Sequence, residues 1–583
     1  MIFPYKSQLR YAWNTILFPV NAEEVVATSR DWNRRQRLLA WIALTAASLI
    51  VLLPNLSYPL IEPDETRYAQ IAIEMNQSRD WITPSLDGIA YLDKPPLMYW
   101  LTATSFSLLG TNETAARLPS MLSAFLTIVI VFSLGSRIVG GRAAWLSAAS
   151  LLLCGGFVLA GRFLILDALL AMFTTLCMLT GYIAVRGQRH RWAWWMVSGI
   201  ACALGVLTKG PIALVLCAPP LVVSGWLRAD QTRTRVLHWA AFLLPMLLVC
   251  LPWYVAVGIF NPQFMDHFFL EHNFKRFTEG SNRREPFWFY LPVVFVGMFP
   301  SSLLLPSVGV FVVSTAERKR ELRSKDLGFL FCGATWMLIF FSAASCKLPT
   351  YILPAIPLIC LILGVMLDQT VMRPERANRI TNYLRPFPQR ATLIILGTWI
   401  GVFAADAWIG RTVSLMAFAS ATVCLATGIT TLRMWNREIA FSWRGWAATM
   451  IVAVGLLSFA AARFMPTVST ARSLYVRTLR LTEEHPQSPV VFFGEKPHAI
   501  TLQIPHRPIV YFAPTMHEEF KAFLSLHDRT IVITGDETIA DTRVATAPTH
   551  QFTEQENHEH LYLAERIEHA TPHIASVADG ASH

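Results

Sequence analysis

Apolar residues come in long blocks separated by short polar stretches, and the blocks stop near residue 463. A bilayer core of about 30 Å needs about 20 apolar residues per helix. Thirteen segments meet that length: 38–56, 116–135, 143–161, 163–185, 192–208, 210–227, 236–258, 287–313, 327–344, 350–368, 391–407, 412–432 and 445–463. Two connecting segments on one side are long. In 57–115, Tyr68, Ile71, Ala72 and Met75 recur at helical spacing. The prolines of Lys94-Pro-Pro-Leu-Met-Tyr-Trp-Leu set a second helix start, and Tyr99 and Trp100 suit the headgroup level. Both stretches read as interfacial amphipathic helices. The other long connection, 259–286, is rich in aromatic and charged residues.

Beyond 463 the pattern changes. Pro489-Val-Val-Phe-Phe-Gly494, Pro508-Ile-Val-Tyr-Phe512 and Thr530-Ile-Val-Ile-Thr534 read as buried strands, and 515–526 as a helix between two of them. The expected fold is a polytopic α-helical membrane protein of about 13 transmembrane helices with periplasmic interfacial helices, plus a small C-terminal α/β domain. Its parts are a cytoplasmic segment 1–37, a membrane domain 38–463, and a periplasmic domain 464–583 that ends in a disordered tail after about 570.

Composition strengthens this reading. Of 583 residues, 54% are hydrophobic and only 15% charged, with mean hydropathy +0.42. Soluble domains carry about 25% charged residues, so an ordinary soluble enzyme is excluded. The net charge of +10 divides into +16 up to residue 463 and −6 after it. A basic chain can bind nucleic acid, but these cations sit in alternate short loops: Arg30, Arg34, Arg35 and Arg37, then Arg137 and Arg142, then Arg186, Arg189 and Arg191, and so on to Arg444. That is the positive-inside pattern, and thirteen crossings put the N-terminus inside and the C-terminus outside. All nine cysteines, Cys154 to Cys424, lie in or beside apolar segments, so no disulfide framework is expected. The first 37 residues are polar and basic, too long for the n-region of a cleavable signal peptide.

Charges beside apolar helices are costly unless used or paired. Asp64, Glu65, Arg67, Asp93, Lys94, Arg162, Asp167, Lys209, Lys275, Arg276 and Lys347, the last near Tyr351, all fall at the outer face. Each has a plainer role open to it. Asp64 is placed to be an N-cap, Arg162 and Asp167 to be an ion pair, and Lys209 and Lys347 to be snorkelling anchors. Independent salt bridges need not share a side, so the grouping favours one polar site. Asp93, His267 and His272 also have the ligand types of a zinc site.

The runs Pro63-Asp-Glu-Thr-Arg-Tyr-Ala69, Glu74-Met75, Asp80-Trp-Ile-Thr-Pro84 and Tyr91-Leu-Asp-Lys-Pro-Pro96 resemble the first outer loop of GT-C glycosyltransferases of the protein mannosyltransferase superfamily. Arg162-Phe-Leu-Ile-Leu-Asp167, Thr208-Lys-Gly-Pro211, Glu271-His-Asn-Phe-Lys-Arg-Phe277, Pro286-Phe-Trp-Phe-Tyr290 and Lys347-Leu-Pro-Thr-Tyr-Ile-Leu-Pro354 extend the likeness, in family order. Together they look most like the bacterial lipid A aminoarabinose transferases. Asp93 is a departure, because several members carry a glutamate there.

The resemblance implies an undecaprenyl phosphate donor bearing 4-amino-4-deoxy-L-arabinose and lipid A phosphate as acceptor. It also implies transfer with inversion at the periplasmic face of the inner membrane, and resistance to polymyxin and cationic peptides. The expected catalytic residues are Asp64, Lys94 and Asp167. Glu65, Arg67, Tyr91, Arg162, Lys209, Arg276, Lys347 and Tyr351 are expected to bind substrate. No cofactor is needed for such chemistry, and a monomer without nucleic acid is expected.

The chemistry accounts for the residue types. A departing polyprenyl phosphate gains negative charge, which preorganised cations stabilise. A hydroxyl acceptor needs a base, a role for Asp64. A phosphate monoester, with its second pKa near ~6, is already ionised and nucleophilic at neutral pH. Asp64 and Asp167 then orient the aminosugar. The nearest alternative is a sugar transferase acting on protein or another lipid. A flippase is the alternative from another class, but it predicts charges through the bilayer depth and internal repeats.

Overall fold

In the computed structural model, the structure describes residues 32–61, 63–86, 88–187, 191–227, 236–278, 285–313, 323, 326–372, 384, 387–410, 426, 443–460, 474–494, 509–513, 515–534, 550–554 and 561–566. The chain divides into two compact units, Met1–Tyr58 with Pro63–Ala471, and Pro59–Glu62 with Arg472–His583. The expected span 412–432, apart from Ala426, and the tail after 570 lie outside the described residues.

The first unit is helical. Among the described residues, Arg34–Leu52, Glu113–Val139, Leu166–Val185, Val236–Phe260 and Pro349–Thr370 are long and apolar enough to cross a membrane. Seven shorter apolar helices accompany them, among them Leu97–Leu109, Leu327–Ala343 and Thr449–Phe459. Leu166–Val185 and Pro349–Thr370 are mostly buried inside the protein, whereas Val236–Phe260 is largely exposed. An exposed surface rich in Leu and Val on such a helix is what lipid contact requires.

Two expected spans are not continuous. The segment 143–161 breaks into Gly141–Leu152 and Gly155–Ala160, and 287–313 into Phe287–Phe289, Tyr290–Gly297, Ser301–Leu304 and Leu305–Val313. The interruptions face each other. Gly155 N–H donates to the Phe299 carbonyl at 2.8 Å, and the Ser301 hydroxyl to the Ser150 carbonyl at 2.8 Å. A Cβ on Gly156 would come within 2.9 Å of the Gly297 Cα. Broken backbone at membrane depth persists only where freed groups find partners inside the protein, and the glycine lets two backbones meet closely enough to supply them. Hydrophobicity along the chain carries no trace of this, because both halves of each break are apolar.

The outer loop contains the helices Asp64–Ser78 and Leu97–Leu109. Tyr68, Ile71, Ala72 and Met75 are buried, as their spacing required. Between the helices, β1 (Ser85–Leu86) and β2 (Ile89–Ala90) form a small antiparallel hairpin. Glu74 fixes it, accepting from Ser85 Oγ at 3.0 Å and Gly88 N–H at 3.1 Å. Tyr99 is fully buried against Tyr68 and Tyr91. Those partners come from other stretches of the outer loop, which sequence spacing does not reveal.

The second unit carries the strands β3 (Val490–Phe493), β4 (Ile509–Phe512), β5 (Arg529–Thr534), β6 (His550–Glu554) and β7 (Leu561–Arg566) in the order β4-β3-β5-β7-β6. The β4-β3-β5 pairings are parallel, and β5-β7 and β7-β6 antiparallel. Alternation along the strands sorts the core onto two faces. Val490, Phe492, Ile531 and Ile533 lie on one with Leu481. Val491, Phe493 and Val532 lie on the other with Phe520 and Leu524 of the helix His517–Ser525. The helix Leu474–Glu484, β6 and β7 were not among the expected elements. The strands β6 and β7 mix polar and apolar residues, which is legible only once β5 is their neighbour.

Candidate active site

The Asp64–Ser78 helix starts after Pro63, which makes no side-chain cap. Asp64 is therefore not an N-cap. It stands in the first turn with its side chain 52% exposed, 3.8 Å from Arg67 one turn on. Arg67 also bonds the Tyr91 hydroxyl, and Tyr91 bonds Asp93. Tyr91 is held in place by the hairpin, its N–H donating to the Pro84 carbonyl at 2.7 Å.

Asp93 continues this polar chain to His267 Nε2 at 2.8 Å, and His267 Nδ1 lies 3.2 Å from Glu271. Lys275 follows at 3.9 Å from Glu271. His267, Glu271 and Lys275 share one face of the π-helix Asp266–Lys275, whose wider turn carries them toward the first loop. Phe264 and Phe268, stacked at 5.2 Å and buried, anchor that segment. The loop is tied down by Trp253 Nε1 donating to the Ile82 carbonyl at 2.9 Å and by Asn261 Nδ2 donating to Thr83 Oγ1 at 3.0 Å.

A second group assembles from distant parts of the chain. Asp167, in the first turn of Leu166–Val185, takes Lys209 Nζ at 2.5 Å on one oxygen and the Thr350 hydroxyl at 3.0 Å on the other. Lys209 Nζ also lies 4.0 Å above the Tyr351 ring. Tyr68 links the two groups. Burial lifts its hydroxyl well above the usual tyrosine range, and Asp64, Tyr91 and Asp167 push it further. The three are thus within electrostatic reach of one phenol. Tyr91 is pushed up to about 12, by burial first and then by Asp93. Both phenols stay protonated at neutral pH and are available as neutral donors.

Three expected substrate ligands are committed elsewhere. Glu65 is buried and takes Arg117 Nε at 2.9 Å and Nη2 at 2.7 Å, plus Leu164 N–H at 2.7 Å. Arg117 in turn donates to the Leu56 and Tyr58 carbonyls at 2.8 and 2.5 Å, and covers the Tyr58 ring at 3.6 Å. Arg162 does not pair with Asp167. It donates to the carbonyls of Val51, Leu52, Pro54 and Asn55, closing the negative end of Arg34–Leu52. Lys347 donates to the Ala344 and Glu285 carbonyls at 2.6 and 2.9 Å, closing the end of Leu327–Ala343. The physical reason is shared: a fully buried cation needs several acceptors at once, and the free carbonyls of a helix end supply them.

Lys94 is half-buried at the start of the second loop helix. The side chains of Arg276 and His272 lie outside the described residues. Because His272 belongs to it, the expected zinc set lies partly outside the described residues; among the described residues no group of three His, Cys, Asp or Glu side chains is placed to hold a metal ion. His267 presents both ring nitrogens to carboxylates. Its hydrogen bond to Asp93 chiefly, with help from Glu271, raises its pKa and favours the imidazolium. Arg117, Tyr68 and Thr350 were missed by sequence reasoning. An arginine inside an apolar run was a legible signal for the first, whereas the other two had none.

The sequence model of the dolichyl-phosphate-mannose-protein mannosyltransferases matches residues 38–268. An undecaprenyl phosphate-α-4-amino-4-deoxy-L-arabinose arabinosyl transferase of Sodalis glossinidius is 32% identical over 397 residues, 65% of this chain and 69% of the relative. One from Yersinia pestis is 30% identical over 436 residues, 70% of this chain and 74% of the relative. The chain belongs to the undecaprenyl phosphate-aminoarabinose arabinosyl transferase family. This family lies in the GT-C superfamily, and its members are multi-pass membrane glycosyltransferases. The crystal structure of ArnT from Cupriavidus metallidurans bound to undecaprenyl phosphate superposes with a TM-score of 0.68 at 22% identity, covering 93% of this chain and 99% of that one. The arabinosyl transferase fold thus extends across nearly the whole chain.

Proposed function

We propose that this protein moves 4-amino-4-deoxy-L-arabinose from undecaprenyl phosphate to a phosphate of lipid A at the periplasmic face of the inner membrane, with inversion at the anomeric carbon. The observation that carries this reading is two carboxylate–cation pairs in the helical unit, Asp64 at 3.8 Å from Arg67 and Asp167 at 2.5 Å from Lys209. That arrangement offers carboxylates for an aminosugar beside cations for phosphates.

An ionised acceptor phosphate oxygen attacks the anomeric carbon, and the bond to the donor phosphate oxygen breaks on the opposite face. The electron pair leaves with undecaprenyl phosphate, so no proton must be removed from the nucleophile. Lys94 and Arg276 receive the departing phosphate, while Lys209 and Tyr351 line its approach. Cations fixed before the reaction stabilise the developing charge without reorganising. Asp64 and Asp167 pair with the ammonium and orient the sugar. Arg67 and Tyr91 hold Asp64 and the Asp93–His267 arm in register. The alternation of basic and non-basic loops supports an outward-facing site.

The test is lipid A mass spectrometry in cells lacking their own aminoarabinose transferase. A mass increase of one or two aminopentoses is expected with this protein and not with Asp64→Asn. No increase, with the protein expressed and the donor present, would reject lipid A as acceptor and return attention to proteins or other lipids.

A further inference from the structure

A second concave site lies at the opposite end of the helical unit. Its cavity of about 410 Å³ is lined by Trp32, Trp41, Phe132, Arg37 and Arg137 among others, within the roughly 300–1,000 Å³ range of ligand pockets. Arg37 lies at the start of Arg34–Leu52, whereas the Asp64 site follows the end of that helix. Nineteen residues at 1.5 Å each separate the two ends by about 28 Å, so the donor and acceptor site does not account for this cavity.

Its chemistry is two-sided. Trp32, Trp41 and Phe132 form an aromatic wall, with ring centroids 6.4 Å apart for Trp32–Phe132 and 4.5 Å for Trp41–Phe132. Arg37 and Arg137 are exposed, and among the described residues no acidic side chain lines the cavity. Arg137 lies 5.3 Å above the Trp194 ring, and among the described residues neither guanidinium is paired with a carboxylate. The neighbouring Arg142 and Arg186 differ in this respect, pairing with Asp368 and Asp326. Ser133 and Ser136 donate their hydroxyls back to their own helix, leaving the guanidiniums as the charged donors. Leu38, Leu39 and Ile42, next to Arg37 and Trp41, are all more than half exposed.

We propose that this cavity binds the phosphate headgroup of an anionic phospholipid, distinct from the sugar donor and the acceptor. The guanidiniums take the phosphate, the aromatic wall packs the glycerol region, and the exposed leucines meet the acyl chains. Basic pockets between membrane helices select anionic headgroups, and an apolar surface continuous with the mouth favours a lipid over a free anion.

Native mass spectrometry of the purified full chain, titrated with phosphatidylglycerol, phosphatidylcholine or inorganic phosphate, tests this. Phosphatidylglycerol is expected to stay bound where phosphatidylcholine does not. Arg37→Ala and Arg137→Ala should each weaken it about fivefold. Ser136→Phe, which fills the cavity and spares both charges, should displace the same lipid and guards against a misfolded arginine variant. Undiminished lipid binding in all three variants overturns the proposal. So does equal retention of phosphatidylcholine, competition by inorganic phosphate at equal concentration, or lipid binding that appears only after residues 1–31 are deleted.

Discussion

Asp64 and Glu65 are adjacent carboxylates in one helical turn, and the structure gives them opposite environments. Glu65 is 2% exposed and locked by Arg117 and a backbone amide. Asp64 is half exposed, with a loose partner in Arg67. The helix turns successive side chains by about 100°, so one points into the protein and the other along its surface. Glu65 belongs with the buried charges whose hydrogen-bond partners are internal: Arg117, Arg162 and Lys347. Around Asp64 lies a half-open chain, Arg67, Tyr91, Asp93 and His267, with capacity left for a substrate. Buried charge needs full satisfaction and so is structural, whereas partly solvated charge can exchange its partners.

The sharpest way to break this contrast is to remove the buried partner. Glu65→Ala leaves Arg117 buried without its counter-ion, which costs about 3–5 kcal/mol. We expect loss of monodisperse, detergent-solubilised protein by size-exclusion chromatography. A well-folded but inactive Glu65→Ala protein would move Glu65 back into the site.

Asp64→Asn should do the reverse. An exposed pair is worth about 0–1 kcal/mol, so thermal unfolding should barely change, while transfer falls by about 10²-fold as the sugar loses an orienting partner. Unaltered transfer would remove Asp64 from the chemistry. Lys94→Ala should lower turnover by about 10²–10³-fold if it stabilises the departing phosphate. Steady-state kinetics with purified donor would separate that from a change confined to KM.

The smallest effect is expected at the far end of the half-open chain. The His267 pKa is raised above 6.5 by Asp93 and Glu271. A raised folded-state value means that the contact's stabilisation is fully present below about 6.5 and is lost as pH rises through the folded value. With His267 40% exposed on its side chain, solvent screening limits the pair to about 1 kcal/mol. Unfolding temperature should therefore fall slightly on the alkaline side in the parent and less in His267→Ala. Parallel pH profiles for the two proteins would show that the contact is not formed.

Much of this was legible in the chain. The loops' alternating basic charge and the blocks of about 20 apolar residues imply a polytopic protein, because bilayer thickness and insertion act on each segment locally. The outer-loop helix was legible in Tyr68, Ile71, Ala72 and Met75, and β3, β4 and β5 in their apolar runs. The charges beside apolar segments, Asp64, Asp93, Lys94, Asp167 and Lys209 among them, were legible as well.

The individual roles were not legible. That Glu65 grips Arg117, that Arg162 and Lys347 close helix ends, and that Asp167 takes Lys209 rather than Arg162 depends on which chain segments meet in space. The same holds for the facing breaks at Cys154–Gly156 and Phe299–Pro300. Hydrophobic period and charge alternation are properties of one segment against a uniform solvent, so a sequence determines them alone. Which acceptor a buried cation reaches is a property of several segments packed together, and only the tertiary structure decides it.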